Sequence, residues 1–303
     1  MLTGLERVTG DFHGLPTHIL GNDQLSLEFL SEAGPRIVRL KLPGNDQNFL
    51  AEVPDFKWTT PHGDYFLHGG HRLWRAPEIF PQTYMPDSSG LKIEELSNGV
   101  RLSRAAQLTG DIRKSIEIQL APDRPAVTLI HQLTNDSDRS IECAPWAITQ
   151  LALGGIAIMP LPHDSVEADE LRPNRHLTLW PYTRWSDSRL HVDDDGVLIE
   201  ARSELPALKV GSLNRHGWIG YLIGGVLFRK CFEPATDQLY PDLGSNVEIY
   251  CNDRFMELET LGGLRPLQPG QTATHIETWE LLTGLDVPAT LAGAQALLKK
   301  LES

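Results

Sequence analysis

The chain has 303 residues, 41% hydrophobic and 22% charged, which is ordinary for a globular protein with a substantial core. A formal net charge of −13 weighs against nucleic acid and anionic membrane as partners. Cys143, Cys231 and Cys251 are odd in number, widely spaced and in no C-x-x-C arrangement, which excludes a disulfide framework and a thiolate zinc site. The opening residues, Met1 to Arg7, lack a basic flank followed by an apolar run, so no signal peptide is expected. No apolar stretch approaches the roughly 18 residues of a membrane span, and the expected location is the cytoplasm.

Period-two alternation runs through most of the chain. Leu25, Leu27 and Phe29 alternate with polar neighbours, and so do Val38, Leu40 and Leu42, then Ile116, Ile118 and Leu120, then Val127 and Leu129. Such spacing predicts strands with one buried face. Asn98-Gly99 separates Leu91–Leu96 from Val100–Leu108, and Asp195-Gly196 separates Leu190–Val192 from Val197–Ala201. Both dipeptides supply the positive φ angles of tight hairpins. The Pro- and Arg-rich stretch from Leu161 to Trp185 predicts a long irregular insert, and inserts of that kind tend to be functional. Helical spacing is confined to the C-terminus, where Leu291, Ala294, Leu298 and Leu301 recur every three or four residues. This predicts a helix over about 288–302, with Pro288 in its first turn and Lys299 and Lys300 at its negative end. The fold class is therefore all-β: one domain, 1–303, of two packed antiparallel sheets with a short C-terminal helix.

One segment departs from this pattern. Tyr65-Phe66-Leu67-His68-Gly69-Gly70-His71-Arg72-Leu73-Trp74-Arg75-Ala76-Pro77-Glu78 gathers histidines, arginines, aromatics and a carboxylate around a glycine pair. The glycines allow a sharp turn or the close approach of another group. Aromatic faces beside several donors and acceptors suit a sugar, with its apolar C–H faces and rim of hydroxyls. The segment is read as the floor of a ligand site, and the expected partner is a small-molecule carbohydrate.

In this all-β setting the chain resembles the galactose mutarotase-like (aldose 1-epimerase-like) superfamily, in an uncharacterised branch of it. Gly34-Pro35-Arg36-Ile37, Leu67-His68-Gly69-Gly70, Leu133-Thr134-Asn135 and the stretch Phe255–Leu261 followed by Leu267–Gly270 and Glu277–Trp279 carry the resemblance, in order, over residues 18–283. It implies an antiparallel β-supersandwich and anomer interconversion of a sugar. One departure stands out: aldose 1-epimerases place a general-acid histidine on a central strand, whereas Ala144-Pro145-Trp146-Ala147-Ile148-Thr149-Gln150 has none.

Mutarotation needs a base for the C1 hydroxyl and an acid for the ring oxygen. Glu257 and Glu259, two apart in a predicted strand, share a face, and alignment with the family motif favours Glu259 as the base. A solvent-facing carboxylate pair fits the same spacing. His71 and His68 are the candidate acids, with a histidine bracing the glycine turn as the alternative. Arg36, Arg72 and Lys209 are candidate donors to substrate hydroxyls, Glu78 a further polar contact, and Trp74 and Trp180 candidate stacking faces. Salt bridges from the arginines to Glu78 or Glu52, core packing of Trp74, and a loop merely anchored by Trp180 and Trp185 are the structural alternatives. His62, His68, His71 and Glu78 fit no established metal-ligand spacing, so no metal and no cofactor is expected. Two further readings stay open: a non-catalytic sugar-binding or sensing module, and a metal-assisted lyase or isomerase. An imidazole beside Glu257 or Glu259 would favour catalysis, and a cleft filled by Trp180 or Trp185 would argue against a sugar.

Overall fold

A computed structural model describes residues 6–105, 111–162, 173–235 and 237–302. The predicted alternation becomes two large antiparallel sheets and a separate hairpin. In spatial order the front sheet runs Glu6–Phe12, Leu15–Gly21, Ser26–Leu30, Arg36–Lys41, His71–Ala76, Ile141–Leu151, Met256–Leu261, Val247–Cys251, Leu208–Ser212 and Thr178–Leu179. The back sheet runs Leu190–Val192, Gly196–Glu200, Ile156–Pro160, Trp218–Ile223, Val226–Phe232, Thr272–Leu282, Ala126–Asn135, Ile112–Leu120, Gly99–Arg104 and Leu91–Leu96. Inward-pointing residues of both, among them Leu27, Phe29, Leu40, Ile116, Ile118, Leu129, Leu258 and Trp279, form the main core between the sheets. Both predicted hairpins are present, at Leu91–Leu96 with Gly99–Arg104 and at Leu190–Val192 with Gly196–Glu200.

The C-terminal helix occupies Leu291–Glu302, so Pro288 lies ahead of it rather than in its first turn. The reason is a cap: the Thr290 hydroxyl accepts the Gly293 N–H at 3.2 Å and fixes the start. Ala294, Leu297 and Leu298 bury against Ile156, Ile158, Leu198 and Trp218 on the outer face of the back sheet. No helix among the described residues is long and apolar enough to cross a membrane. Of the predicted insert, residues 163–172 lie outside the described residues; the remainder is irregular apart from the short edge strand Thr178–Leu179.

The hairpin of Glu52–Thr60 and Gly63–Gly69 lies over the outer face of the front sheet. Its Val53, Tyr65 and Leu67 pack with Trp74, Trp146 and Ile148 in a second apolar cluster. The chain passes from this hairpin into the front sheet through His68, Gly69 and Gly70, all three at positive φ (59, 96 and 68°). A Cβ on Gly69 would stand 2.0 Å from the Ala51 carbonyl oxygen, and one on Gly70 1.9 Å from that of Ile37. The glycine pair thus admits close approach, as its sequence suggested, but what approaches is backbone rather than ligand.

Candidate functional site

Alternation sorts the front sheet into two chemically distinct faces. On the His71–Ala76 strand, Arg72, Trp74 and Ala76 point outward beneath the hairpin, while His71 and Leu73 point into the core. On the next strand, Trp146, Ile148 and Gln150 point outward; on Met256–Leu261, Glu257 and Glu259 do so. The register sets Ile148 opposite Glu259 and Gln150 opposite Glu257, with Glu248 and Tyr250 beyond them on Val247–Cys251. Lys209 follows on the neighbouring strand, opposite Tyr250.

The two glutamates are held differently. Glu257 Oε1 accepts from Arg72 and from the Gln150 amide, each at 2.9 Å, while no hydrogen bond reaches its Oε2 from the described residues. Burial pushes the Glu257 carboxyl above its ordinary range, and Arg72 opposes the shift without reversing it. Glu259 is fully buried; its Oε2 accepts from the Trp146 indole at 2.6 Å and from Lys209 at 2.9 Å. Burial alone would raise Glu259, but Lys209 and these bonds overcome it, so this group titrates below its ordinary range. Lys209 also lies 2.6 Å from Glu248. Burial works against its charge, yet the two carboxylates outweigh it and keep Lys209 an ammonium. Burial drives Glu248 well above the carboxylate range, and Lys209 opposes the shift without reversing it. The ammonium is flanked by the rings of Trp146 and Trp180, 4.7 and 4.6 Å from their centres.

Three outward-facing polar atoms here have no partner among the described residues: Arg72 Nε and Nη1 and Gln150 Oε1. Buried polar atoms in folded proteins are nearly always bonded, so such a concentration marks hydrogen-bonding capacity held in reserve.

The structure brings Glu257, Glu259, Arg72, Trp74, Lys209 and Trp180 to this one face, and separates the other candidates from it. Trp74 is buried, donates to the Tyr65 hydroxyl at 2.8 Å and lies beneath the Arg72 guanidinium, 4.2 Å from its ring centre. It is a support for Arg72 rather than an open stacking platform. Arg36 donates to the Leu67 carbonyl at 2.7 Å, the Tyr65 hydroxyl at 3.1 Å and Asp87 at 2.8 Å. Its acidic partner is thus neither Glu78 nor Glu52, and its bonds brace the hairpin. Glu78 is exposed and bonded to the Tyr84 hydroxyl. His68 is buried and stacks on Phe66; burial first, then Arg36, pushes its imidazole down to about 4. Trp185 is 71% exposed and lies away from the face, whereas Trp180 packs against the Lys209 ammonium. Trp146, Gln150 and Glu248 escaped the sequence reading, because their strands are buried on both faces and show no alternation of apolar and polar positions.

His71 lies on the opposite side of the sheet, in a polar network between the layers. His131 Nδ1 is 3.1 Å from the His275 carbonyl, which can only accept, so the proton sits on that nitrogen. His131 Nε2 then accepts from His71 Nε2 at 2.8 Å, and His71 Nδ1 accepts the Thr149 hydroxyl proton at 2.9 Å. Burial holds both imidazoles neutral by lowering their affinity for a second proton. Nearby, Glu277 takes Lys230 at 2.9 Å, the Trp279 indole at 2.9 Å and the Thr260 hydroxyl. His71, His131 and Glu277 offer ligand atoms within 4.8 Å of one another. Each is already committed, however, the imidazoles to one another and Glu277 to an ammonium. No imidazole hydrogen-bonds Glu257 or Glu259 among the described residues, and neither predicted acid, His68 nor His71, joins them.

No protein-family model matches this chain, and no curated protein does. Solved structures do. A galactose mutarotase-like protein from Lactobacillus casei aligns over 91% of this chain and 100% of its own, at 10% identity and a TM-score of 0.53. The fold is galactose mutarotase-like. A candidate aldose 1-epimerase from Escherichia coli K12 covers 92% of this chain and 100% of its own, at 11% identity and a TM-score of 0.55. A TPR-domain containing protein from Parabacteroides distasonis aligns over 91% of this chain at 13% identity and a TM-score of 0.59; this chain spans 50% of its length. At these identities the likeness is one of fold.

Proposed function

We propose that the outer face of the front sheet binds a sugar and interconverts its anomers, with Glu257 as the general base. The observation that carries this reading is the group of buried polar atoms of Arg72 and Gln150 that have no partner among the described residues, beside the Oε2 of Glu257 that none of those residues bonds. A polyhydroxylated ligand supplies matching donors and acceptors, and Trp180 and Tyr250 supply apolar faces for its C–H bonds. Glu257, rather than Glu259, suits the base because one of its oxygens is unbonded and its affinity for a proton is raised toward working pH. Glu259, pinned by Lys209 and Trp146, serves to hold the ammonium. Glu257 and Glu259 stand about 6.6 Å apart along the strand, close to the span of one sugar ring, so a ligand on Glu257 extends toward Lys209. That cation stabilises negative charge developing at the ring oxygen, in place of the imidazole used by aldose 1-epimerases.

The absence of an imidazole partner and the packing of Trp180 against Lys209 favour a second reading, a sugar-binding module without turnover. Proton NMR of freshly dissolved α-glucose and α-galactose decides between them. Catalysis predicts anomer exchange above the uncatalysed rate, lowered by about 10²–10⁴-fold in Glu257→Gln. Saturable ligand-detected binding without acceleration would leave the module. No binding of any sugar in a broad panel would overturn both.

A further inference from the structure

The Ile112–Leu120 strand turns Ile112, Ile116, Ile118 and Leu120 into the layer between the sheets, and Lys114 stands in the same column. Directly opposite it in register is Arg104, whose strand-mates Val100 and Leu102 also point inward. Like charges facing each other across adjacent strands repel, and the alternation calls for apolar residues at both positions. Neither charge is neutralised by contact with a described residue. Arg104 Nε donates to the Ser89 carbonyl at 2.7 Å, and no described residue forms a hydrogen bond or ion pair with Lys114. Burial pushes the Lys114 ammonium down to about 8, with Asp87 offsetting part of the shift.

Both cations line a notch with Arg36, Arg75, Asp87 and Asp111. The acids are occupied: Asp87 by Arg36 at 2.8 Å and Asp111 by Arg75 at 3.2 Å. Lys114 and Arg104 are therefore in excess, in a chain whose overall charge is −13. The notch opens where the pairing of the Arg36–Lys41 and His71–Ala76 strands ends at Arg36–Arg72, beside Gly34, Pro35 and Leu73. What remains is a cavity of about 70 Å³, room for a few waters or one tetrahedral oxyanion.

We propose that this notch binds a small oxyanion with the charge and size of phosphate or sulfate, gripped by Lys114 and Arg104. Charge-assisted bonds to such an anion remove the repulsion between the two side chains and supply the acceptors they lack. Lys114 belongs to the sheet opposite Glu257, and the proposal stands whether or not the outer face binds a sugar.

The competing account is a lysine whose stem covers the core and whose head reaches water. Calorimetric titration with sodium phosphate and, separately, sodium sulfate at fixed ionic strength distinguishes the two. Saturable binding of either anion is expected, weakened about tenfold or more in Lys114→Met and Arg104→Gln and largely kept in Lys114→Arg. Thermal unfolding without the anion adds an independent check. Lys114→Met is expected to melt no lower than wild type, because it removes the repulsion, and to lose the rise that phosphate gives wild type. Absence of saturable binding, or equal binding by Lys114→Met, overturns the proposal. So does a Lys114→Met protein that melts lower without any anion, since the lysine would then be a structural support.

Discussion

Replacing Lys209 by Met keeps the stem of the side chain and removes its charge, and so isolates what the ammonium does for Glu259 and Glu248. In the wild type both carboxyl side chains are fully buried and the ammonium is nearly so, leaving little solvent to screen the interaction. After the substitution the Trp146 indole and the Glu248 carboxyl remain as hydrogen-bond partners of Glu259. Breaking a buried pair from one side costs about 3–5 kcal/mol, and the lost contacts with Trp146 and Trp180 fall within that figure. The pH dependence carries a sign that packing loss does not. Glu259 is depressed in the folded wild type, so its contribution is present above the unfolded carboxylate pKa and is lost only as pH falls through the folded value. Without Lys209 the strongest opposition to burial is gone, and Glu259 rises past its unfolded value. The variant then takes up a proton on acidification, and each unit of upward shift returns about 1.4 kcal/mol. Urea unfolding of both proteins at about pH 7.5 and about pH 5.5 should therefore show a difference that shrinks at the lower pH. A difference below about 1 kcal/mol at the higher pH, the range of a surface pair, would refute the reasoning. A difference that grows on acidification would refute it equally.

Two further outcomes follow from the crossing at His68–Gly70. Gly70→Ala should cost at least about 2 kcal/mol in urea unfolding, because it adds left-handed strain to a Cβ set 1.9 Å from the Ile37 carbonyl oxygen; a change under about 0.5 kcal/mol, typical of an unconstrained surface site, would show that the backbone yields. His68 is depressed to about 4, so it favours folding fully above its unfolded pKa near 6.5 and loses that contribution as pH falls through the folded value. His68→Asn, which tolerates the left-handed conformation, should flatten the stability profile between those limits by about 3 kcal/mol; an unchanged slope would assign the acid sensitivity to other groups.

Much of the fold was legible because a strand records its burial in its own sequence. Side chains alternate with period two, so Leu25-Leu27-Phe29 and Ile116-Ile118-Leu120 announce a buried face without reference to any neighbour. The same parity set Glu257 and Glu259 on one face. It also implies that His71 and Arg72, adjacent in one strand, face opposite ways; reading the glycine segment as a single floor passed over that signal. The three positive-φ residues from His68 to Gly70 interrupt the strand, so parity could not be carried across them and the position of His68 was not decidable from spacing.

Which strands become neighbours is a property of the closed sheet alone. Arg72 and Glu257 are 185 residues apart and Lys209 and Glu259 are 50 apart, and no local pattern ties these partners together. Strand order and register set Gln150 beside Glu257; the burial that follows raises both glutamates, and Lys209 reverses the shift at Glu259 alone. The sequence by itself determined which side chains share a face, because alternation is a local property of the chain. Tertiary structure decided which of those faces meet and which charges lose their water, because both depend on pairing between strands far apart along it.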